Sequence, residues 1–284
     1  SYNRMGGLIG YADGVVVRNS SVTNVKTQPL SGQIDVEVGG LIGEAYNMAI
    51  DNCYVQNINF DVTDAKVVNA VGGFIGYLGS GDIVNVYATG IINTNSPKVG
   101  GLFGYNGAYV RNTYSNVDIT SKSSYVGGIS GTGNNIANSF SVGSIYSYLD
   151  SDLVKRIAGN ADANNNNYAW ANQHVNGKIT GETNGELLLT TEELANPLTY
   201  IETIRFTEDF DYSDLTEGKL PKLKYTDGSK LLPYQIDNKL AKQKRDVGFC
   251  EIVFEAKNYC ELSKVLELPT LPSENTFFQD FLAK

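Results

Sequence analysis

Val38-Gly39-Gly40-Leu41-Ile42-Gly43 is the stretch on which the fold turns, because the pattern aliphatic-Gly-Gly-apolar-x-Gly recurs. It stands at Met5 to Gly10, Val38 to Gly43, Val71 to Gly76, Val99 to Gly104 and Val126 to Gly131. A sixth copy, Val154 to Gly159, carries Lys155 and Arg156 in place of the two leading glycines. The copies start 33, 33, 28, 27 and 28 residues apart, a period that belongs to a stacked repeat. Seven to nine residues after the last glycine of each copy comes an asparagine: Asn19, Asn52, Asn85, Asn112, Asn138 and Asn166. An aromatic follows within two residues in five copies, as Tyr54, Tyr87, Tyr114, Phe140 and Tyr168.

Between signatures the chain reads as short alternating strands, such as Asn57-Ile58-Asn59-Phe60-Asp61-Val62 and Val117-Asp118-Ile119-Thr120, broken by Gly, Asn and Ser. A unit of three short strands repeated at this length is one rung of a solenoid. The expected fold is therefore all-β, a right-handed parallel β-helix of about six rungs with a small α+β C-terminal cap. At ~4.8 Å per rung it makes a rod on the order of 30 Å long. Leu8, Leu41, Phe74, Leu102, Ile129 and Ile157 are apolar in every copy and read as one inward ladder. Met5, Val38, Val71, Val99, Val126 and Val154 read as a second. They stand three residues apart, which on a flat strand places them on opposite faces. A corner at the paired glycines, with φ > 0, is expected to turn both inward. The structural glycines are thus Gly6, Gly7, Gly10, Gly39, Gly40, Gly43, Gly72, Gly73, Gly76, Gly100, Gly101, Gly104, Gly127, Gly128 and Gly131. These are 15 of the 30 in the chain, so the glycine content reports corners rather than loops. Asn52, Asn85, Asn112 and Asn138 suit stacked turns, where Asn tolerates the left-handed region and its amide can bond the copies above and below.

The 284 residues divide unevenly in charge. Residues 1–180 hold 12 acidic and 10 basic side chains, net −2, and the remainder 19 and 12, net −7. Three segments are expected: a repeat β-helix over 1–180, a capping segment over 181–235, and a small helical or α+β piece over 236–284. Thr190-Thr191-Glu192-Glu193 reads as a capping box opening a helix that Pro197 interrupts. Phe206 to Tyr212 and Leu220 to Tyr225 read as extended cover over the solenoid's open end, whose last rung would otherwise expose core and backbone. Gln235 to Asp246 reads as a charged helix or linker, Phe249 to Phe254 as a strand, and Asn258 to Leu268 and Ser273 to Leu282 as helices.

A formal charge of −9 argues against nucleic acid, whose phosphates call for clustered Lys and Arg. No apolar run approaches the roughly 20 residues of a bilayer-spanning helix. The first residues already read as repeat, so any targeting signal is expected in a longer parent protein. Cys53, Cys250 and Cys260 suit neither a disulfide scaffold nor a zinc cluster, although a Cys250 to Cys260 bridge is open to them. Neither cofactor nor metal is expected in this chain.

The signatures, with Asn52-Cys53-Tyr54-Val55 and Asn138-Ser139-Phe140-Ser141, resemble the GLUG motif. That motif recurs in bacterial surface proteins, notably ahead of the catalytic region of immunoglobulin A-specific zinc metalloendopeptidases. Asn167-Tyr168-Ala169-Trp170 and Gly218-Lys219-Leu220-Pro221-Lys222-Leu223 are similar to the way such arrays close. The resemblance implies a secreted or cell-surface location and a host glycoprotein such as an immunoglobulin as partner, alongside the rest of the parent protein. That family's zinc site needs a His-Glu-x-x-His helix. With His174 as its single histidine, this chain lacks that site, so the resemblance implies a non-catalytic docking or spacing part.

His174 reads as a structural or surface histidine, and Trp170 as closing the core rather than binding sugar. The Gly-Gly-x-x-Gly copies lack the Gly-Lys-Ser/Thr ending of a phosphate loop. A carbohydrate-active solenoid would need acidic residues on one exposed sheet. The candidates are Asp35, Glu37, Asp61, Asp64 and Asp118, with Asp61 and Asp118 on comparable strands two copies apart. They are sparse and lack a positioned basic partner. Tyr46, Tyr77, Tyr105, Tyr109 and Tyr125 are the better binding candidates, since tyrosine offers rigid amphipathic contact area, and packing within turns is their alternative role. Three functions stay open: a docking or spacer domain of an immunoglobulin A protease-like zinc metallopeptidase, a surface adhesin or stalk, and a carbohydrate-active β-helix enzyme.

Overall fold

The computed structural model describes residues 3–27, 36–63, 68–133, 135–149, 153–161, 165–179, 186–215, 219–224 and 251–252. The fold is mostly β, with parallel sheets in which each copy of the signature pairs with the copy before and the copy after. The first sheet joins Asn3–Gly6, Val36–Gly39, Val68–Gly72, Lys98–Gly100, Tyr125–Gly127 and Val154–Lys155 in chain order. The second joins Ile9–Asp13, Ile42–Tyr46, Ile75–Leu78, Phe103–Asn106 and Ser130–Gly133. The third is built on the long strands Met48–Val62, Gly81–Thr94 and Tyr109–Ser121. Val16–Arg18 and Ser21–Thr23 flank it on one side, and Phe140–Ser141, Tyr168–Trp170 and Leu187–Leu189 on the other.

Strand register aligns the first apolar ladder residue for residue, from Met5 opposite Val38 to Val126 opposite Val154. The second ladder is tied by backbone bonds such as Leu41 N–H to the Phe74 carbonyl at 2.8 Å and Ile129 N–H to the Ile157 carbonyl at 2.8 Å. Both ladders lie in one apolar core, with Leu8 of the first copy at its partly exposed margin. The corner between them works differently from the expectation. None of the paired glycines has positive φ; among the described glycines only Gly14, Gly81, Gly90, Gly133 and Gly177 do. Side-chain space is what is missing: a Cβ on Gly39 would sit 1.9 Å from the Ile42 carbonyl oxygen, and one on Gly40 2.2 Å from that of Gly73. The corner folds so sharply, and the next copy lies so close, that backbone occupies the volume of a methyl group.

The asparagines do take the left-handed region, with φ of 47 to 56° at Asn19, Asn52, Asn85, Asn112, Asn138 and Asn166. Each shifts the alternation of its strand by one residue. Ile50 and Cys53 therefore both face the core although three apart, and the aromatic at Tyr54 is thrown outward. The expected amide ladder forms in part. Asn166 Nδ2 donates to Asn138 Oδ1 at 2.9 Å and Asn112 Nδ2 to Asn85 Oδ1 at 3.5 Å, while Asn85 Nδ2 turns to carboxylates.

The thrown-out aromatics form a second core. Tyr54, Tyr87, Tyr114 and Phe140 stack with ring centroids 5.0, 4.8 and 5.0 Å apart. Leu189, Leu194, Tyr200, Ile204, Phe206, Phe210, Leu215 and Leu223 bury them. Thus the residues expected to cover an open end pack instead against the outward aromatics of the third sheet, and only Leu187–Leu189 extends that sheet. The helix Thr191–Leu194 has its capping box, with Glu193 N–H donating to Thr190 Oγ1 at 3.1 Å and Thr190 N–H to Glu193 Oε2 at 2.7 Å. A π-helical turn, Thr199–Ile204, follows. Phe210–Asp211 and Lys222–Leu223 pair antiparallel. Asn85 Nδ2 donates to Asp209 Oδ2 at 3.0 Å, so this strap reaches the third copy. Of the segments expected beyond residue 224, Glu251–Ile252 pairs parallel with Val16–Val17; the expected helices and Cys250 and Cys260 lie outside the described residues.

Candidate functional site

The position after the third glycine of each signature is occupied by Tyr11, Glu44, Tyr77, Tyr105 and Thr132, and these pair in register on the second sheet. Together with Tyr46 they bring four tyrosines into one outward strip. Ring centroids are 6.3 Å apart for Tyr11 and Tyr46, 5.9 Å for Tyr46 and Tyr77, and 4.5 Å for the stacked Tyr77 and Tyr105. Tyr11 is exposed and the other three half-buried.

Two cations flank the strip. The Arg4 guanidinium lies over the Tyr11 ring at 4.7 Å and pairs with Glu44, which is buried. Lys98 Nζ lies over the Tyr105 ring at 5.4 Å. Tyr46 O–H donates to Glu44 Oε1 at 2.9 Å. Burial, reinforced by that bond, holds the Tyr46 phenol well above its ordinary pKa. Burial, then the neighbouring Tyr105, raises Tyr77, and the bond to Glu44 raises Arg4. All three groups keep their usual protonation at neutral pH, Tyr46 and Tyr77 as neutral phenols and Arg4 as a cation.

Of the five tyrosines singled out in the sequence, Tyr46, Tyr77 and Tyr105 come together here. Tyr125 stands on the first sheet opposite Lys98. Tyr109 begins a long strand of the third sheet and is 68% exposed, away from the ring stack. Sequence reasoning missed Tyr11, Arg4, Glu44 and Lys98. The signal for Tyr11 and Glu44 was present in the fixed offset from the third glycine; for Arg4 and Lys98 it lies in the fold of the first sheet against the second.

The carboxylates do not assemble. Asp61 shares its ladder with Asn93 and Thr120, whereas Asp118 is aligned with Ile91 and Asn59, so the two are out of register. Asp61 Oδ1 accepts from Thr63 Oγ1 at 2.9 Å, a local turn contact, and Asp118 Oδ1 from Ser144 N–H at 2.7 Å, a bond to the next copy. Glu37 is buried and accepts from Asn69 Nδ2 at 3.3 Å. Asp35 and Asp64 lie outside the described residues. His174 is exposed, and its backbone carbonyl accepts from Ile145 N–H at 2.8 Å. Trp170 packs outward beside the strap, its indole N–H donating to Thr191 Oγ1 at 3.1 Å. Among the described residues no group of three or more His, Cys, Asp or Glu is placed to hold a metal ion, and no helix is long and apolar enough to cross a membrane.

The family model described as the GLUG motif matches residues 68–93, which span the third signature, Tyr77 and the asparagine corner at Asn85. No curated protein and no solved structure matches the chain.

Proposed function

We propose that this chain is a non-catalytic docking and spacing module whose tyrosine strip holds a host protein. The observation that carries the reading is the alignment of Tyr11, Tyr46, Tyr77 and Tyr105 on one outward face, between Arg4 and Lys98. Rigid aromatic side chains with a polar tip give contact area at low entropic cost and dominate protein interfaces. In this reading the scaffold is a right-handed β-helix of six rungs closed by a lateral α+β cap, displayed by a bacterial surface or secreted protein. The parent is a zinc metallopeptidase of the immunoglobulin A protease type, the partner a host glycoprotein such as an immunoglobulin, and the zinc chemistry lies elsewhere in the parent. The GLUG match at 68–93 supports the repeat class, and the resemblance in the signatures supplies the parent.

The test is surface plasmon resonance of immobilised chain against immunoglobulin A, with a proteolysis assay in parallel. Saturable binding without cleavage is expected, and its loss in Tyr77→Ser combined with Tyr105→Ser. A flat trace at high concentration sinks the immunoglobulin partner. The second reading, an adhesin or stalk unrelated to any peptidase, rests on the same strip and takes over if the parent gene encodes no His-Glu-x-x-His sequence. A carbohydrate-active enzyme is disfavoured by the separation of Asp61 and Asp118, and turnover in a polysaccharide screen would reinstate it.

A further inference from the structure

We infer that the outer edge of the first copy is a strand-accepting site, and that the chain's own segment Phe249-Cys250-Glu251-Ile252-Val253-Phe254 is the strand that closes it. Glu251–Ile252 pairs parallel with Val16–Val17 and ends the third sheet on that side. Register makes the pairing specific. Val17 heads a ladder through Ile50, Ile83, Val110 and Ile136, all of them buried, and Ile252 stands at its next position. Glu251 stands at the position of Val16, Ala49, Asp82 and Tyr109, none of which is buried. A slip of one residue would bring Glu251, the one charged residue of the segment, into the apolar ladder.

Burial in the first copy follows the same line. Met5, Leu8, Ile9, Val15, Val22 and Val25 are partly exposed, as residues at the end of a stack are, whereas Val17, in register with Ile252, is 0% exposed. The edge calls for such a partner, because a bare strand offers its unpaired N–H and C=O groups to any other chain. This chain can supply it from within. Lys224 N–H donates to the Asp209 carbonyl, and Asp209 accepts from Asn85 of the third copy, three steps of ~4.8 Å from the layer beyond the first. From Lys224 to Glu251 the chain advances 27 residues, which can extend to about 90 Å. The segment therefore reaches the edge of its own molecule, at a higher local concentration than a second copy in dilute solution provides.

The experiment uses the whole chain with Cys250→Ser and Cys260→Ser, which leaves Cys53 buried in the core. Val16→Cys is combined either with Glu251→Cys, in register, or with Phe249→Cys, two residues out of register and beyond the ~7 Å Cα separation that a disulfide spans. Under mild oxidation in dilute solution, the Glu251→Cys pair is expected to form an intrachain disulfide at least about tenfold faster than the Phe249→Cys pair, read by peptide mass mapping. Disulfides between chains would assign the edge to a second copy, and equal rates would deny the pairing; either overturns the inference. Amide hydrogen exchange gives a readout without new thiols. Ile252→Asp is expected to speed exchange over residues 14–18 at least about tenfold and to leave Phe103–Asn106 unchanged, the latter verifying the fold, while Ile252→Val restores protection. Unchanged exchange over residues 14–18 in Ile252→Asp overturns the inference as well. Immunoglobulin binding has no part in either assay, so the docking reading stands or falls separately.

Discussion

Gly40 and Gly177 show how one residue type serves two needs. At Gly40 a Cβ would lie 2.2 Å from the Gly73 carbonyl oxygen and 2.6 Å from a Val55 methyl, so even alanine forces two copies apart. At Gly177 nothing lies within 4 Å, and φ of 75° is the constraint, following Asn176 at 50° in a tight turn. Gly40→Val is expected to cost about 3 kcal/mol or more, the range of severe overpacking, and Gly177→Asn to cost under about 0.5 kcal/mol, because Asn accepts the left-handed region. Thermal melts of the two variants decide it; an unchanged midpoint for Gly40→Val would remove the packed corner.

Asp51 carries the pH dependence at this scale. Burial, then the facing Asp209, raises its pKa, against the pull of the Asn85 amide at 3.2 Å and of Arg18 on the preceding strand. A raised carboxyl pKa in the fold means that the native state holds its proton more tightly than the unfolded chain. The ionised group therefore costs stability at neutral pH, and stability is regained as pH falls through the folded pKa toward the unfolded value near 4. Asp51→Asn is expected to stabilise the protein at pH 7 by less than about 1 kcal/mol, since the group is half-exposed and screened, with no gain near pH 4. Melting midpoints of both proteins from pH 4 to 8 test this, and a destabilised Asp51→Asn at pH 7 contradicts it.

Among elements, the strap formed by residues 186–215 and 219–224 changes how the stacked sheets are held. Tyr114 O–H donates to the Pro221 carbonyl, Asn166 Nδ2 to the Thr203 carbonyl at 3.0 Å, and Thr207 Oγ1 to Asn85 Oδ1 at 3.0 Å, so one segment ties copies three to six from outside. Phe210, fully buried against Tyr114 and Phe206, is its apolar anchor. Phe210→Ala is expected to cost about 3–5 kcal/mol, with loss of near-ultraviolet tyrosine dichroism as the ladder is uncovered. Ile91→Ala, at a half-exposed position outside the strap, serves as the neutral control, and equal melting midpoints for the two would deny the strap its role.

The stacked ladders and the left-handed asparagines were legible in the sequence because a repeat prints each structural demand several times. The strap's path was not. Tyr54, Tyr87, Tyr114 and Phe140 look like core aromatics until the asparagine before each is known to flip the strand's phase. Contacts between the aromatic ladder and residues 100 positions away leave no periodic trace. Tyr11 and Glu44 were legible but unread, since the offset from the third glycine marks them. Arg156 was read only as a lost glycine. In the fold its guanidinium donates to the carbonyls of Trp170, Gln173 and Ile179. A long polar side chain is tolerated in this buried place because three backbone carbonyls take up its guanidinium.

At the scale of the molecule, these features make stability uneven along the stack. In the first copy Met5, Leu8, Ile9 and Val15 are only partly buried, whereas Val99, Leu102 and Phe103 in the fourth are fully enclosed and strapped from outside. Opening should therefore begin at the first copy and reach the second next. Cys53, in the core of the second copy, reports it: its thiol is buried, with burial pushing its pKa up to about 12, so alkylation at pH 8 requires the copy to open. Register places Thr113 two copies further along the same ladder, through Val86. In a chain carrying Cys250→Ser and Cys260→Ser, Cys53 is expected to react with iodoacetamide at least tenfold faster than a thiol introduced by Thr113→Cys in a Cys53→Ser background, a difference of about 1.4 kcal/mol in opening free energy. Adding Phe210→Ala should raise the rate at position 113 far more than at 53, because the strap is released there first. Equal rates at the two positions in the intact fold would mean that the stack opens as one cooperative unit, and the uneven distribution of stability would be wrong.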